Sequence, residues 1–272
     1  MDWVGQHQDW KVHGQNSLSA HDVFSREYPK VGMTRLSVNV NKIATLRNAR
    51  GGDEPNVVRS AVRIQGFGAD GITVHPRPDA RHITYQDVRD LKAVVHTEFN
   101  VEGYPTTDFI DLVCEVRPDQ VTLVPDAPEV LTSQAGWKVT QHREWLADVL
   151  KTFADQGIRT SLFIETDRVQ IEAAAHIGAH RIELYTEPYA HSHVRLGAAA
   201  AQPFAEAAMW AQQAGLGVNA GHDLNLHNLR DFAMNVPHLQ EVSIGHALIS
   251  DALELGMANA VAQYKGCLTL WD

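Results

Sequence analysis

From Arg35 onward, short β-branched runs alternate with longer segments whose apolar residues recur every three or four positions. That is the pattern of βα units around a parallel sheet. The strand runs are RLSVNV (35–40), GITVH (71–75), FNVE (99–102), QVTLV (120–124), RTSLFI (159–164), RIELYT (181–186), LGVN (216–219) and EVSIG (241–245), eight in all. Between them, the segment 142–156 places Trp145, Leu146, Val149, Leu150 and Phe153 on one helical face. Another helix ends at Ala214, with Gly215 in a capping position. Thr84 with Asp87, and Asp167 with Gln170, have the spacing of a capping box, and Pro55 suits a first helical turn. Eight uninterrupted units predict the α/β class, a single closed (β/α)8 TIM barrel over 34–272, rather than an open doubly wound sheet. The longest connection, 125–139 after the fourth strand, has the length of a functional lid.

Residues 1–33 carry neither period and read as a flexible N-terminal extension outside the barrel, with Met33 a candidate start codon just ahead of the first strand. Charge narrows the partners. Lys plus Arg total 23 against 33 Asp plus Glu, and no basic block is dense enough to track a nucleic-acid backbone. Apolar stretches fall far short of the roughly 20 residues of a membrane span, and no signal-like segment opens the chain. Cys114 and Cys267 form no CxxC, which leaves a disulfide framework or thiolate zinc site without support. The reading is a soluble protein of the cytoplasm.

Barrel active sites stand at the C-terminal ends of the strands. The residues there are polar: Asn39, Asn41 and Lys42 after strand 1, His75 and Arg77 after strand 2, Glu102 at strand 3, Glu165 at strand 5, Asn219 and His222 at strand 7, Gly245 and His246 after strand 8. Glu183 lies inside strand 6, where a charge facing the interior must be paired or functional. His75, Glu102 and His222 come from three strands and would converge at one mouth. Imidazoles near pKa 6.5 beside a carboxylate near 4.3 predict proton transfer around neutral pH.

Two anion sites follow from the residues. AGH (220–222) and IGH (244–246) follow strands 7 and 8, where barrels bind phosphate on Gly-rich loops and a helix N-terminus; the last helix is expected to begin at about His246. LRNARGG (46–52) with Arg77 offers guanidinium groups for a second oxyanion, although a solvated basic loop fits the same spacing. Gly66, Gly68 and Gly71 match GxGxxG but precede a strand and follow a helix, the reverse of a dinucleotide fingerprint. His191 and His193 would hold a metal only weakly, and no HExxH or compact ligand set occurs, so no metal is expected. Trp3, Trp10 and Trp137 read as packing or loop residues rather than base-stacking platforms.

Taken together, VNVNKIATLRNARGG, GADGITVHPRPDARHI, NVEG, VNAGHDLNLHNL and IGHALI resemble the pyridoxine 5′-phosphate synthase family, from about Leu36 to the end of the chain. The resemblance implies a cytosolic barrel that condenses 1-deoxy-D-xylulose 5-phosphate with 3-amino-2-oxopropyl phosphate. The products are pyridoxine 5′-phosphate, phosphate and water, and no cofactor is used. By motif, it implies His75 and Glu102 as proton acceptors, His222 as proton donor and Glu183 as stabiliser of cationic intermediates. Asn39, Arg50, Gly245 and His246 would hold the amino-ketone phosphate, and Arg77, His82 and Thr132 the deoxyxylulose phosphate. A homo-oligomer, an octamer of barrels, is also implied. Competing readings are a barrel aldolase or isomerase with one anion site, and a non-catalytic phosphate-ligand binding barrel, which would not need His75, Glu102 and His222 together.

Two motifs depart from the family pattern. Asn41 and Lys42 stand where Asp-His is usual, and Asp223 replaces a common Gly after the strand-7 His. Lys42 could supply a charge in place of an imidazole hydrogen bond, and Asp223 could cap the next helix while its backbone N–H meets a phosphate. The extension gives a first prediction. A chain beginning at Met33 should fold and turn over as the full chain does, measured by melting temperature and rate; loss of solubility or assembly would show that residues 1–32 dock on a partner surface.

Overall fold

The expected runs become β1 (Arg35–Asn39), β2 (Gly71–Val74), β3 (Glu98–Gly103), β4 (Gln120–Leu123), β5 (Arg159–Ile164), β6 (Arg181–Leu184), β7 (Gly217–Gly221) and β8 (Leu239–Ile244). They close in chain order into one parallel barrel in the computed structural model, which describes residues 33–125 and 135–269. The extension 1–32, with Trp3 and Trp10, lies outside the described residues, as do 126–134 of the long connection with Thr132. The outer helices are α1 (Asn41–Asn48), α2 (Val57–Gly66), α3 (Tyr85–Lys92), α4 (Thr107–Val116), α5 (Arg143–Asp155), α6 (Arg168–His176), α7 (Glu187–Leu196), α8 (Gln202–Gln213), α9 (Leu229–Asn235), α10 (His246–Leu255) and α11 (Met257–Leu268). Two helices follow β8, so His246 opens the penultimate helix and not the last one.

Local signals explain most boundaries. Thr84 and Asp87 form the reciprocal capping box of α3. Asp167 caps α6 through the Val169 and Gln170 N–H groups, but Gln170 turns its side chain to Thr140 instead of completing a box. Pro55 stands ahead of α2, whose cap is Asn56, and not in its first turn. Gly215, at φ 81°, takes the left-handed position that stops α8. On α5, Leu146, Val149, Leu150 and Phe153 are buried, while Trp145 at 37% exposure sits at the edge of that face.

Apart from the irregularity of β8 at Gln240, the strands alternate mainly aliphatic residues toward the helices with mainly polar residues toward the axis. Leu36, Val38, Ile72, Val74, Val101, Val121, Leu162, Ile182, Val242 and Ile244 are fully buried in the main hydrophobic core with the helices. The inner set is polar, where branched aliphatic layers are common. Ser37 and Thr73 hydroxyls lie 2.7 Å apart, Asn100 donates to Thr73, Thr122 donates to Asn100, and Gln120 donates to Thr122. Nearer the N-terminal end, Arg35, Arg159 and Arg181 surround Glu98 and Glu241, with Arg35–Glu98 at 2.7 Å and Arg181 within 3.8–3.9 Å of both carboxylates. Arg181 also donates to Gln120 and Asn219. A register shift between β7 and β8 skips Gln240, which brings Glu241 opposite Asn219 and into this cluster.

Buried charge of this kind holds only while each partner is present. Arg181→Met should therefore destabilise the barrel by about 3–5 kcal/mol in urea unfolding, because Glu98 and Glu241 would keep their burial and lose a cation. A loss below about 1 kcal/mol would show that water enters the barrel and screens the cluster.

Candidate active site

Every strand, or the residue or two beyond it, lends a side chain to one cavity of about 530 Å³ at the C-terminal mouth. These are Asn39, His75 with Arg77, Glu102, Val124, Phe163, Glu183, His222 and Ser243, with Gly245 and His246 following β8. Lys42, Asn41, His82 and Asp223 complete the expected set in the same wall. Twelve of the fourteen residues anticipated from sequence line this cavity. Thr132 is outside the described residues. Arg50 does not line it: α1 carries the chain away from the mouth and leaves Arg50 exposed in the following turn. The nearby arginine of LRNARGG that is bound is Arg47, whose guanidinium grips Asp87 at the cap of α3.

On one side, Asn39 donates to Glu102 at 3.3 Å and accepts the Asn41 N–H at 3.0 Å. Asn41 in turn accepts the His75 backbone N–H at 2.9 Å, so its side chain ties β2 to α1. Gly245 packs onto Asn39 so closely that a Cβ would lie 3.1 Å from it. The His75 and His82 rings meet edge to face at 6.1 Å, and buried Arg77 lies 3.6 Å from Asp79. On the other side α10 starts at the cavity wall with no side-chain cap, which leaves its first-turn N–H groups and positive dipole end for an anion.

The turn after β7 corrects the expectation for Asp223. Its N–H is taken by the Gly221 carbonyl and Thr186 Oγ1, and the following α9 is preceded by Asn228, so Asp223 neither caps that helix nor offers its N–H freely. Its carboxylate lies 3.1 Å from His222 Nδ1 instead. His222 itself has φ 61°, a left-handed conformation that costs a non-glycine residue about 1–3 kcal/mol.

Electrostatics also depart from ordinary values. Burial raises the Glu102 carboxyl well above the carboxylate range, and the Glu241 charge adds to it. Burial raises Glu183 likewise, helped by the Glu102 charge; Glu183 is 4% exposed, and its Oε2 lacks a hydrogen-bond partner among the described residues. Burial, reinforced by His82, Arg77 and His222, pushes His75 down to about 3, and burial with Arg77 and Lys42 takes His82 to about 4. His222 moves the other way, raised by its hydrogen bond to Asp223 and by the Glu183 charge. Near neutral pH the site thus pairs neutral His75 and His82 with a His222 that favours its charged form and with carboxyls raised to about 8, close enough to neutral to take up or release a proton.

Sequence reasoning did not single out Phe163, Ser243 and Asn225. Phe163 and Ser243 sit two residues from Ser161 and Glu241 on the inner faces of β5 and β8, so strand parity carried the signal. Elsewhere, His193 binds Asp231 at 2.7 Å, and no cluster of three or more metal-capable side chains occurs among the described residues. Trp137 is buried, donates to the Leu123 carbonyl and stacks on Tyr104.

These features define a class: a (β/α)8 barrel whose C-terminal mouth gathers buried carboxyls, imidazoles, an arginine and a lysine in one cavity. Residues 36–269 match the family model described as pyridoxal phosphate biosynthesis protein PdxJ. The chain is 58% identical over 236 residues to pyridoxine 5′-phosphate synthase of Bacteroides thetaiotaomicron, covering 87% of this chain and 100% of the relative. It is 59% identical to the enzyme of the same name from Porphyromonas gingivalis, over 88% of this chain and all of the relative. A Mycobacterium tuberculosis tryptophan synthase chain shares the fold, with TM-score 0.60 and 10% identity over 88% of this chain and 94% of that one. The chain belongs to the PdxJ family.

A carboxyl whose folded pKa is raised contributes stability that is complete below its ordinary range and lost as pH rises through the folded value. Glu183→Gln stays neutral throughout. Its melting temperature should therefore gain on the parent's as pH goes from 5 to 9, by a few degrees at the alkaline end. A tenfold change in proton affinity is worth about 1.4 kcal/mol, and 1 kcal/mol moves the melting temperature of a domain this size by about 2–4 °C. A difference constant across pH would show an ordinary carboxyl.

Proposed function

We propose that this chain makes pyridoxine 5′-phosphate from 1-deoxy-D-xylulose 5-phosphate and 3-amino-2-oxopropyl phosphate, releasing phosphate and water by general acid–base catalysis. The observation that carries this reading is the meeting of Glu102, Glu183, His75 and His222, from four strands, in one cavity with Arg77 and Lys42 on one side and the uncapped N-terminal end of α10 on the other. Family membership supplies the substrates. An aldolase or isomerase acting on one sugar phosphate would need cations on one side only.

Imine formation, loss of phosphate, dehydration and ring closure each move a proton at a carbon, nitrogen or oxygen of the joined substrates. Glu102, lifted toward neutral pH, is a stronger base than an ordinary carboxylate and accepts protons from carbon. Neutral His75 stands beside it as the weaker acceptor, because burial lowers its proton affinity. His222, held in the charged form by Asp223, donates to departing oxygen. Glu183, buried with Oε2 unpartnered among the described residues, would lose its proton as an iminium cation forms beside it and then offer that cation its negative charge. Gly245, His246 and the start of α10 would bind the amino-ketone phosphate together with Asn39; Arg50 would join only by reaching back from its turn. Arg77 and His82, with Thr132, would bind the other phosphate. Lys42 brings a cation to the mouth where imidazole is usual.

No helix among the described residues is long and apolar enough to cross a membrane. Cytoplasmic location and an octameric assembly accord with family membership, and exposed Val194, Leu253 and Val169 supply apolar surface for contacts between copies.

The test is incubation with both phosphorylated substrates while following ultraviolet absorbance of the pyridine product and release of phosphate. Glu102→Gln should lower turnover by roughly 10²- to 10⁴-fold. KM for either substrate should change far less, and melting temperature should hold. Absence of product from the parent chain would overturn the reaction; near-normal turnover in folded Glu102→Gln would remove that residue from it.

A further inference from the structure

The turn that presents His222 is held from three directions. The His222 N–H donates to the Ser243 carbonyl on β8 at 3.2 Å. Thr186, just past β6, donates its hydroxyl to the Gly221 carbonyl and accepts the Asp223 N–H at 3.3 Å. Gly221 lies so near β8 that a Cβ would sit 2.2 Å from the Ser243 oxygen, so only glycine permits this approach. The turn thereby fixes the left-handed backbone of His222 and sets the Asp223 carboxylate against Nδ1 at 3.1 Å. With Nδ1 engaged, Nε2 is the ring nitrogen left for the cavity that His222 lines.

We propose that Asp223 is a positioning residue that acts through His222: its carboxylate holds the Nδ1–H, which fixes the ring's tautomer and orientation and makes Nε2 the atom that delivers the proton to substrate. This rests on the reading of His222 as proton donor. The groups that face the imidazole are Asp223 on its own turn, Glu183 from β6, Lys42 from α1 and His75 after β2. The two carboxyls favour imidazolium and Lys42 opposes it; the hydrogen bond to Asp223 dominates. A glycine at this position, as in the commoner family pattern, has no side chain to do this. This chain should therefore keep its acid protonated to higher pH than a version carrying glycine there.

Two variants separate charge from geometry. Asp223→Asn keeps an oxygen for Nδ1–H and loses the charge, while Asp223→Gly loses both. Imidazole NMR titration of the ligand-free protein reads the ring directly, with the His222 signal assigned by its absence from His222→Gln. In Asp223→Asn the midpoint should fall by about one pH unit with the Nδ1–H tautomer retained. In Asp223→Gly it should fall similarly and the neutral ring should become a mixture of tautomers. The alkaline limb of kcat should move down with the midpoint, so that turnover above it drops about tenfold while KM and melting temperature change little; Asp223→Glu should recover part of the loss. An unmoved midpoint in both folded variants overturns the proposal. A midpoint that moves while the kcat limb does not overturns the donor assignment, and the proposal with it.

Discussion

The polar interior of the barrel is the constraint on which the rest depends. Once Ser37, Thr73, Asn100, Gln120 and Thr122 face inward, they bond to one another, because burying an unpaired amide or hydroxyl costs several kcal/mol in an apolar setting. The bonds they form link neighbouring strands side chain to side chain, in addition to the parallel ladder. Hydrophobic stabilisation then falls to the opposite strand faces, where aliphatic residues meet the helices. Stability therefore resides mainly in the layer between strands and helices, and the barrel axis is left for charge.

That division lets charge persist along the axis. At the N-terminal end three arginines surround Glu98 and Glu241, yet burial and the Glu98 charge still raise the Glu241 carboxyl to about 8, and burial lowers the Arg181 guanidinium to about 10. Toward the C-terminal end no arginine among the described residues stands against Glu102 or Glu183, and their mutual repulsion adds to the cost of burial. Burial thus raises carboxyls at both ends of the axis; what sets Glu102 and Glu183 apart is that they line the cavity at the mouth.

Around this axis the mouth combines stiff supports with reactive groups. Asn41 accepts the His75 backbone N–H, and Asn39 accepts the Asn41 N–H while donating its Nδ2–H to Glu102, so that His75 and Glu102 are both held from the end of β1 and the start of α1. Thr186 and Gly221 do the same for His222 across β6, β7 and β8. Arg47 fixes the cap of α3 beneath His82, at the cost of a guanidinium withdrawn from the mouth.

The sequence by itself determined the eight strands and their order, because a period of two and its turn residues are local properties. It also placed most of the mouth, since the C-terminal end of a parallel strand is a position countable along the chain. The capping of α3 and the stop after α8 were legible for the same reason. What only the tertiary structure decided were quantities that depend on distance through space. Parity showed that one strand face is polar, but not that it faces the axis, so Phe163 and Ser243 passed unnoticed. Arg47 and Arg50 share one basic run; packing sent the first to Asp87 and left the second in solvent. Asp223 had the composition of a helix cap, yet the close approach of Gly221 to β8 turned its carboxylate to His222. Proton affinities moved furthest from expectation, because a pKa is set by burial and by charges on other strands, which no reading along the chain can supply.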